Sequence, residues 1–132
     1  MSSSPIILAS ASPRRFDLLE GAGLSPVVRP ANIDEMPQRS ERPDIFAERM
    51  AIEKAESIAR YETGACVIAG DTVVALGEQI LGKPRTVDDA ISMLRRLSGR
   101  VHRVLTGWAV CDGTGTRLSG VSVSEVHFNA LS

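Results

Sequence analysis

The first third of the chain alternates an apolar run, a helical pattern and a second short apolar run. Residues 6–9 form a continuous apolar run typical of a buried strand. Ser12 and Pro13 follow it as a helix cap with proline at the first helical position. We predict a helix over residues 13–22, ended by a left-handed Gly23. A strand should therefore run almost directly into a helix.

The middle of the chain predicts an edge strand, a loop, a long helix and a long strand. The valine pair at 27–28 lies between two prolines, which allows only a short or edge strand. Residues 32–43 are polar and contain two further prolines, so they should form a loop. Residues 43–61 carry apolar side chains spaced by three and four, as in a helix. Residues 66–76 are apolar except at 70–72, which predicts a central strand covered on both faces.

The last third predicts another helix and an antiparallel pair of strands. A short strand at 79–81 should follow a glycine turn, and a helix should run from a Thr86 cap to Gly99. Strands at 101–111 and 121–128 flank a turn rich in glycine. Together, these elements predict an α/β fold, a mixed sheet with flanking helices, in a single domain.

Two features near the C-terminus lead to further expectations. The apolar phase changes between Val123 and Val126, which predicts a β-bulge in the last strand. The chain stops at Ser132, a good N-cap for a helix that does not follow. We therefore expect the single domain, residues 1–132, to be incomplete at its C-terminal end.

Composition narrows the class of protein. Fifteen basic and 16 acidic residues give a net charge of −1, which argues against a protein that coats nucleic acid polymers. One Trp, one Tyr and three Phe offer no platform for stacking bases. The sequence contains neither a signal peptide nor an apolar run of about 20 residues that could span a membrane. Cys66 and Cys111 lack metal or redox spacing and should be free thiols, so we expect a cytoplasmic protein.

Asp71 is the first candidate for chemistry. Its neighbours on the same strand face, Ala69 and Val73, are apolar, so an ionised carboxylate there needs a partner, a metal or a cleft. Gly70 beside it permits a kink or the close approach of a ligand. The alternative is a buried aspartate that bonds to local backbone.

The segment SASPRR at residues 10–15 predicts an anion site where the first strand meets its helix. Helix-start amides, the hydroxyls of Ser10 and Ser12, and two guanidinium groups suit a phosphate. Arg14 and Arg15 oppose the helix dipole, which calls for a compensating anion. The alternative is a simple Ser12 cap with two solvated arginines.

Three other charged positions are weaker candidates. Lys54 projects near the buried stripe of its helix, where it either faces Asp71 or a phosphate, or extends its ammonium to solvent. Glu35 lies in the proline-containing loop and offers the hard oxygen that magnesium takes, although adjacent acids in loops are usually solvated. Lys83 completes seven positions of a phosphate-binding P-loop, but Pro84 replaces its hydroxyl residue. We reject the P-loop and keep Lys83 as a phosphate contact.

Several motifs together closely resemble the Maf family of nucleoside triphosphate pyrophosphatases. They are SASPRR at 10–15, DE at 34–35, EKA at 53–55, GDTVV at 70–74, LGKP at 81–84, LSGR at 97–100 and TG at 106–107. The resemblance implies a two-lobed fold like that of the inosine triphosphate pyrophosphatases, with a nucleotide cleft. It also implies hydrolysis of a nucleoside triphosphate to the monophosphate and pyrophosphate, with a divalent cation, Mg or Mn. The position of Arg15 as the second arginine is similar to the branch of the family that acts on dTTP and UTP.

The resemblance further implies roles for individual residues. Asp71 would accept a proton or bind the metal, and Glu35 would share the metal. Phosphates would be held by Ser10, Arg14, Lys54 and Lys83, and base choice would involve Arg15 and Thr72. Nucleotide-pool cleansing and arrest of septum formation are both compatible with this pattern.

Family members continue beyond Ser132 with a helix and a glycine-rich segment that lines the nucleotide site. Its absence predicts uncovered apolar surface, a form that is either a homo-oligomer or poorly active, and a weakened preference among bases. Two alternatives to the enzyme therefore stay open: an inert nucleotide-binding module and a structural fragment.

Overall fold

The computed structural model describes residues 5–10, 12–82, 84–127 and 129–130, and these form a mixed sheet with three helices. The elements in chain order are β1 (Ile6–Leu8), α1 (Pro13–Gly21), β2 (Val27–Val28), α2 (Pro43–Ala59), β3 (Cys66–Leu76), β4 (Gln79–Leu81), α3 (Val87–Leu97), β5 (Val101–Cys111) and β6 (Arg117–His127). The strand order is β2-β1-β3-β5-β6, with β4 paired to β3. None of the described helices is long and apolar enough to cross a membrane.

One edge of β3 is only partly paired. The fully paired edge lies beside β5, which runs antiparallel to residues 67–75. On the partly paired edge, β1 runs parallel to residues 66–68, and β4 runs antiparallel to residues 74–76. The stretch between these two short strands therefore has no neighbouring strand among the described residues. Asp71 lies at the centre of that opening.

Helix α2 covers one face of the sheet. Its small residues Ala47, Ala51 and Ala55 are fully buried against the odd-numbered positions of β3 and β5. Gly107 of β5 permits the closest approach, because a Cβ there would collide with the backbone carbonyl of Ala47. Small side chains on both elements thus let α2 pack directly against the sheet, and polar residues on α2 can reach β3.

The opposite face of the sheet is half-open, which corrects the prediction that β3 is covered on both faces. Thr72 is exposed on this face, and the indole of Trp108 is 41% exposed above Gly120. The reason is that α1 buries no residue fully and α3 buries only Leu97. The helices other than α2 flank the sheet without covering it.

Strand β6 differs from its prediction in two ways. It begins at Arg117, because the strand pairs with β5 from the turn onward, polar residues included. The predicted bulge is wrong, since the register runs without interruption from Cys111↔Arg117 to Val101↔His127. Val123 and Val126 lie on opposite faces of a largely exposed edge strand, and such a strand can carry apolar side chains on either face without a bulge.

Candidate functional site

A cleft of about 880 Å³ lies at the unpaired stretch of β3, beyond the carboxyl end of β1. Crevices at the carboxyl ends of parallel strands are common ligand sites in α/β proteins. The predicted site residues that line it are Ser10, Arg14, Arg15, Glu35, Lys54, Asp71 and Thr72. Lys83 lies outside the described residues. The structure therefore brings together, from four separate segments, seven of the eight predicted residues.

The first wall of the cleft is the junction between β1 and α1. Ser10 is buried, and its Oγ accepts a hydrogen bond from the Ser12 amide at 3.2 Å. Ser12 caps α1, and its Oγ accepts from the Arg15 amide at 3.5 Å. The amides of a helix N-terminus carry partial positive charge, which favours an anion beside them. This wall is suited to phosphate.

The two arginines of the first turn take different directions. Arg15 turns back over β3, where its Nη2 donates to Thr72 Oγ1 at 2.8 Å and its Nη1 donates to Ser10 Oγ at 3.3 Å. Gly70 makes this possible, because a Cβ there would lie 2.8 Å from Arg15 Nε. Arg14 is exposed and lines the cleft. The close approach predicted at Gly70 is thus made by a side chain of the same chain.

The second wall is built around Lys54 of α2. Its Nζ lies 2.9 Å from Asp71 Oδ1 and 3.0 Å from Glu35 Oε1. The Lys54 and Asp71 side chains are 12% and 8% exposed, whereas that of Glu35 is 52% exposed. Asp71 reaches the lysine because it shares the odd-numbered face of β3 that α2 covers. The buried carboxylate is therefore paired, and the lysine at the edge of the core faces it.

Opposing effects act on the pKa of Lys54. Burial lowers it, but the hydrogen bond and charge of Asp71, followed by those of Glu35, outweigh burial and raise the pKa above its usual 10.5. The ammonium therefore stays charged throughout the physiological range.

A divalent cation would find suitable oxygen donors beside Lys54. Glu35 Oε1 and Asp71 Oδ1 lie 3.0 and 2.9 Å from the same ammonium nitrogen, so the two carboxylates already share one positive charge. Magnesium commonly takes one or two carboxylates together with substrate phosphates and water. Within the described ranges no three acidic, His or Cys residues are grouped for metal binding. The donors fit a cation whose remaining ligands come from a bound phosphate.

The family model for Maf-like proteins matches residues 5–132, nearly the whole chain. The chain belongs to the Maf family. A dTTP/UTP pyrophosphatase of Caulobacter vibrioides is 47% identical over 128 residues, which are 96% of this chain and 66% of that relative. The chain thus spans about two thirds of the length of the curated relatives it matches.

Solved structures with low sequence identity share the Maf chain's fold. The Ham1 protein of Staphylococcus aureus has a TM-score of 0.69 at 14% identity, covering 94% of this chain and 71% of that one. A nucleoside-triphosphatase/dITP/XTP pyrophosphatase of Mycobacterium abscessus has a TM-score of 0.62 at 16% identity, covering 93% and 73%. The predicted fold class, a mixed α/β sheet with flanking helices, is confirmed.

The Maf cleft also contains residues to which the sequence alone assigned no role. Val104 and Thr106 line it from β5, and Thr106 lies directly opposite Thr72 in the register. The TG motif at 106–107 was part of the family resemblance, yet its position in the cleft depends on strand pairing. Alternation of polar and apolar residues shows only that Thr106 shares a face with Val104.

Proposed function

We propose that the chain hydrolyses a nucleoside triphosphate to the monophosphate and pyrophosphate. The observation that carries this proposal is a single cleft lined by Ser10, Ser12 and Arg14, groups suited to an anion, and by the buried carboxylate–lysine pair of Asp71 and Lys54. Its relatives' names point to dTTP and UTP as substrates. Nucleotides are cytoplasmic metabolites and the thiols are free, which supports the cytoplasm as the site of action.

In the proposed reaction the first wall holds the phosphates. The Ser10 hydroxyl and the amides at the start of α1 donate to phosphate oxygens, and Arg14 adds a charge-assisted contact. Lys54 lines the same cleft and pairs with Asp71, so its ammonium can also attract a phosphate oxygen. The predicted role of Lys83 as a further phosphate contact remains part of the proposal.

Asp71 is proposed to activate water. One carboxylate oxygen bonds to Lys54, and the other is available to take a proton as the water oxygen bonds to the α-phosphorus. The bond from this phosphorus to its bridging oxygen breaks, and pyrophosphate leaves with the electron pair. In the alternative role, Asp71 shares a cation with Glu35. Such a cation would neutralise charge on the phosphates.

Base choice is proposed to depend on the open-face side of the cleft. Arg15 and Thr72 form a hydrogen-bonded pair there, and Thr106 lies across from Thr72. These groups offer donors and acceptors that a pyrimidine edge can use.

Pyrophosphate release from a panel of nucleoside triphosphates tests the proposal. With Mg²⁺ or Mn²⁺ present, we expect dTTP and UTP to be hydrolysed faster than purine nucleotides. Release of orthophosphate alone, or no release from any nucleotide, would contradict it. A nucleotide-dependent rise in melting temperature without turnover would instead identify an inert binding module.

A further inference from the structure

The loop that carries Glu35 has no regular secondary structure to hold it. Residues 31–42 form neither helix nor strand, and Glu35 itself is half-exposed. A segment without a backbone ladder depends on side-chain contacts for a defined position. Ile33 packs against the core at one end of this loop, Glu35 pairs with Lys54, and the residues after Glu35 are bound by Arg49, which projects from α2.

Arg49 binds the loop at two places. Its Nε and Nη2 donate to the two carboxylate oxygens of Glu41 at 2.7 and 2.8 Å, and Nη2 also donates to the Met36 carbonyl oxygen at 3.1 Å. Glu41 in turn accepts from the Gln38 amide at 2.9 Å. The Glu41 side chain is 5% exposed, so water competes little for these bonds. We call this set of contacts the Arg49 clamp.

The charges and the geometry of the Arg49 clamp favour a single arrangement of its groups. The hydrogen bond from Arg49 is the largest cause that holds the pKa of Glu41 below its usual 4.5, so the carboxylate stays ionised near neutral pH. The planar guanidinium satisfies three acceptors of the loop at once, which an ammonium group cannot do in the same geometry. The guanidinium carbon also lies over the Phe46 ring, 5.6 Å from its centroid, which is within the range of a cation–π contact.

We propose that Arg49 is a positioning residue that holds Glu35 in the cleft. The Met36 carbonyl that Arg49 binds belongs to the residue next to Glu35, so the clamp restrains the backbone from which the Glu35 carboxylate reaches Lys54. This inference rests on the proposed function, in which Glu35 helps to hold a cation. Arg49 acts through the loop and carries no chemical step.

Hydrogen exchange of the ligand-free protein is the first test. Arg49→Lys keeps the positive charge but loses the bidentate contact with Glu41. Glu41→Gln removes the carboxylate that Arg49 binds on the loop. In both variants we expect amides of residues 36–41 to exchange roughly tenfold faster, with those of β3 unchanged. Glu53→Gln is the matched control, because Glu53 accepts from Arg49 Nη1 at 2.7 Å and belongs to α2 itself, outside the loop.

Binding of Mn²⁺ to the nucleotide-free protein, followed by electron paramagnetic resonance, is the second test. Loss of an outer-shell partner commonly weakens metal binding 10- to 100-fold. We expect Arg49→Lys to raise the Mn²⁺ dissociation constant roughly tenfold. In a Glu35→Gln background the same change should add nothing, since its effect passes through Glu35.

Each outcome decides the proposal. Unchanged loop exchange in Arg49→Lys overturns it, and so does faster exchange with unchanged Mn²⁺ affinity, which would make the clamp merely structural. Additive effects of Arg49→Lys and Glu35→Gln, or a parent protein that does not bind Mn²⁺, also overturn it. A parent that binds Mn²⁺ but hydrolyses no nucleotide refutes the proposed function and leaves the Arg49 measurements valid.

Discussion

Asp71 and Thr72 are neighbours in β3, yet they lie on opposite faces of the sheet in very different surroundings. Asp71 faces α2, is almost fully buried and pairs with Lys54. Thr72 lies on the open face, is exposed and accepts a hydrogen bond from Arg15. Both line the same cleft. One strand therefore presents a fixed, desolvated charge and an accessible hydroxyl to a single ligand site.

The contrast follows from how each face is covered. Under α2, removal of water makes an unpaired charge costly, so Lys54 and Asp71 are held together and oriented. On the open face water replaces lost hydrogen bonds, so the contacts there are individually weak. We expect chemistry to depend on the α2 side and selectivity to depend on the open side.

The largest effect should come from Asp71→Asn. If Asp71 is the general base, turnover should fall by roughly 10² to 10⁴, because the amide cannot accept the proton. Nucleotide affinity, measured by calorimetry, should change little. Thr72→Ala on the open face is the matched comparison and should keep turnover of the best substrate while altering the ratio between nucleotides.

Three outcomes would change this assignment of roles to the two faces. Near-normal turnover in a folded Asp71→Asn protein excludes it as the base. A loss of Mn²⁺ binding in the same variant assigns Asp71 to the metal instead. Equal losses of turnover in Asp71→Asn and Thr72→Ala would show that both faces serve the chemistry.

Replacing a glycine under α2 should cost more stability than replacing a glycine on the open face. In Gly107→Ala the new methyl group meets the Ala47 backbone, which cannot move without shifting α2. The free energy of unfolding should therefore fall by about 1 to 3 kcal/mol. In Gly120→Ala it meets the Trp108 ring, which is partly exposed and can rotate away. We expect a change of about 0.5 kcal/mol or less there. Urea unfolding with an unchanged m-value measures both, and a larger loss in Gly120→Ala would contradict the asymmetry.

Local signals were sufficient to predict most elements. The bounds of β3 and β4 were predicted to the residue, and the Ser12-Pro13 cap located the start of α1. Pairing of Asp71 was one of the alternatives that its apolar neighbours left open, beside a metal, a cleft and a bond to local backbone, and the sequence did not choose among them. The convergence of cleft residues from several segments was expected from the family resemblance, not from spacing.

Features that depend on pairing between distant segments could not be predicted. Nothing local shows that β1 and β4 share one edge of β3 and leave a gap between them. The position of the Arg15 side chain over Gly70 also depends on how α1 packs beside β3, which the local sequence does not show. Arg49 and Glu53 have the spacing of an ordinary surface ion pair, so the clamp on the Glu35 loop was missed. The start of β6 at Arg117 was missed because its first residues have no apolar pattern.

Arg14 should contribute to binding more than to turnover, since it lies at the anion-binding wall. Arg14→Ala removes a charge-assisted contact, and we expect nucleotide affinity to fall by roughly 1.5 to 3 kcal/mol. Arg117→Ala is the control, because Arg117 is an exposed arginine paired with Glu56 outside the cleft. Calorimetric titration with a non-hydrolysable triphosphate measures both variants. Equal affinities for the two would refute a phosphate role for Arg14.

The two cysteines offer the mildest test of the contrast between faces. Cys66 is half-buried on the open face of β3, whereas Cys111 is buried in the core beneath α2. Burial raises the pKa of both thiols above 9.0. Since only the thiolate reacts and its fraction falls as the pKa rises, both should react with iodoacetamide more slowly than a peptide thiol at pH 8, and faster as the pH increases. Mass spectrometry should show Cys66 modified before Cys111 in the native protein and both at similar rates in denaturant. Faster native modification of Cys111 would mean that α2 leaves its face of the sheet more readily than the open face admits reagent.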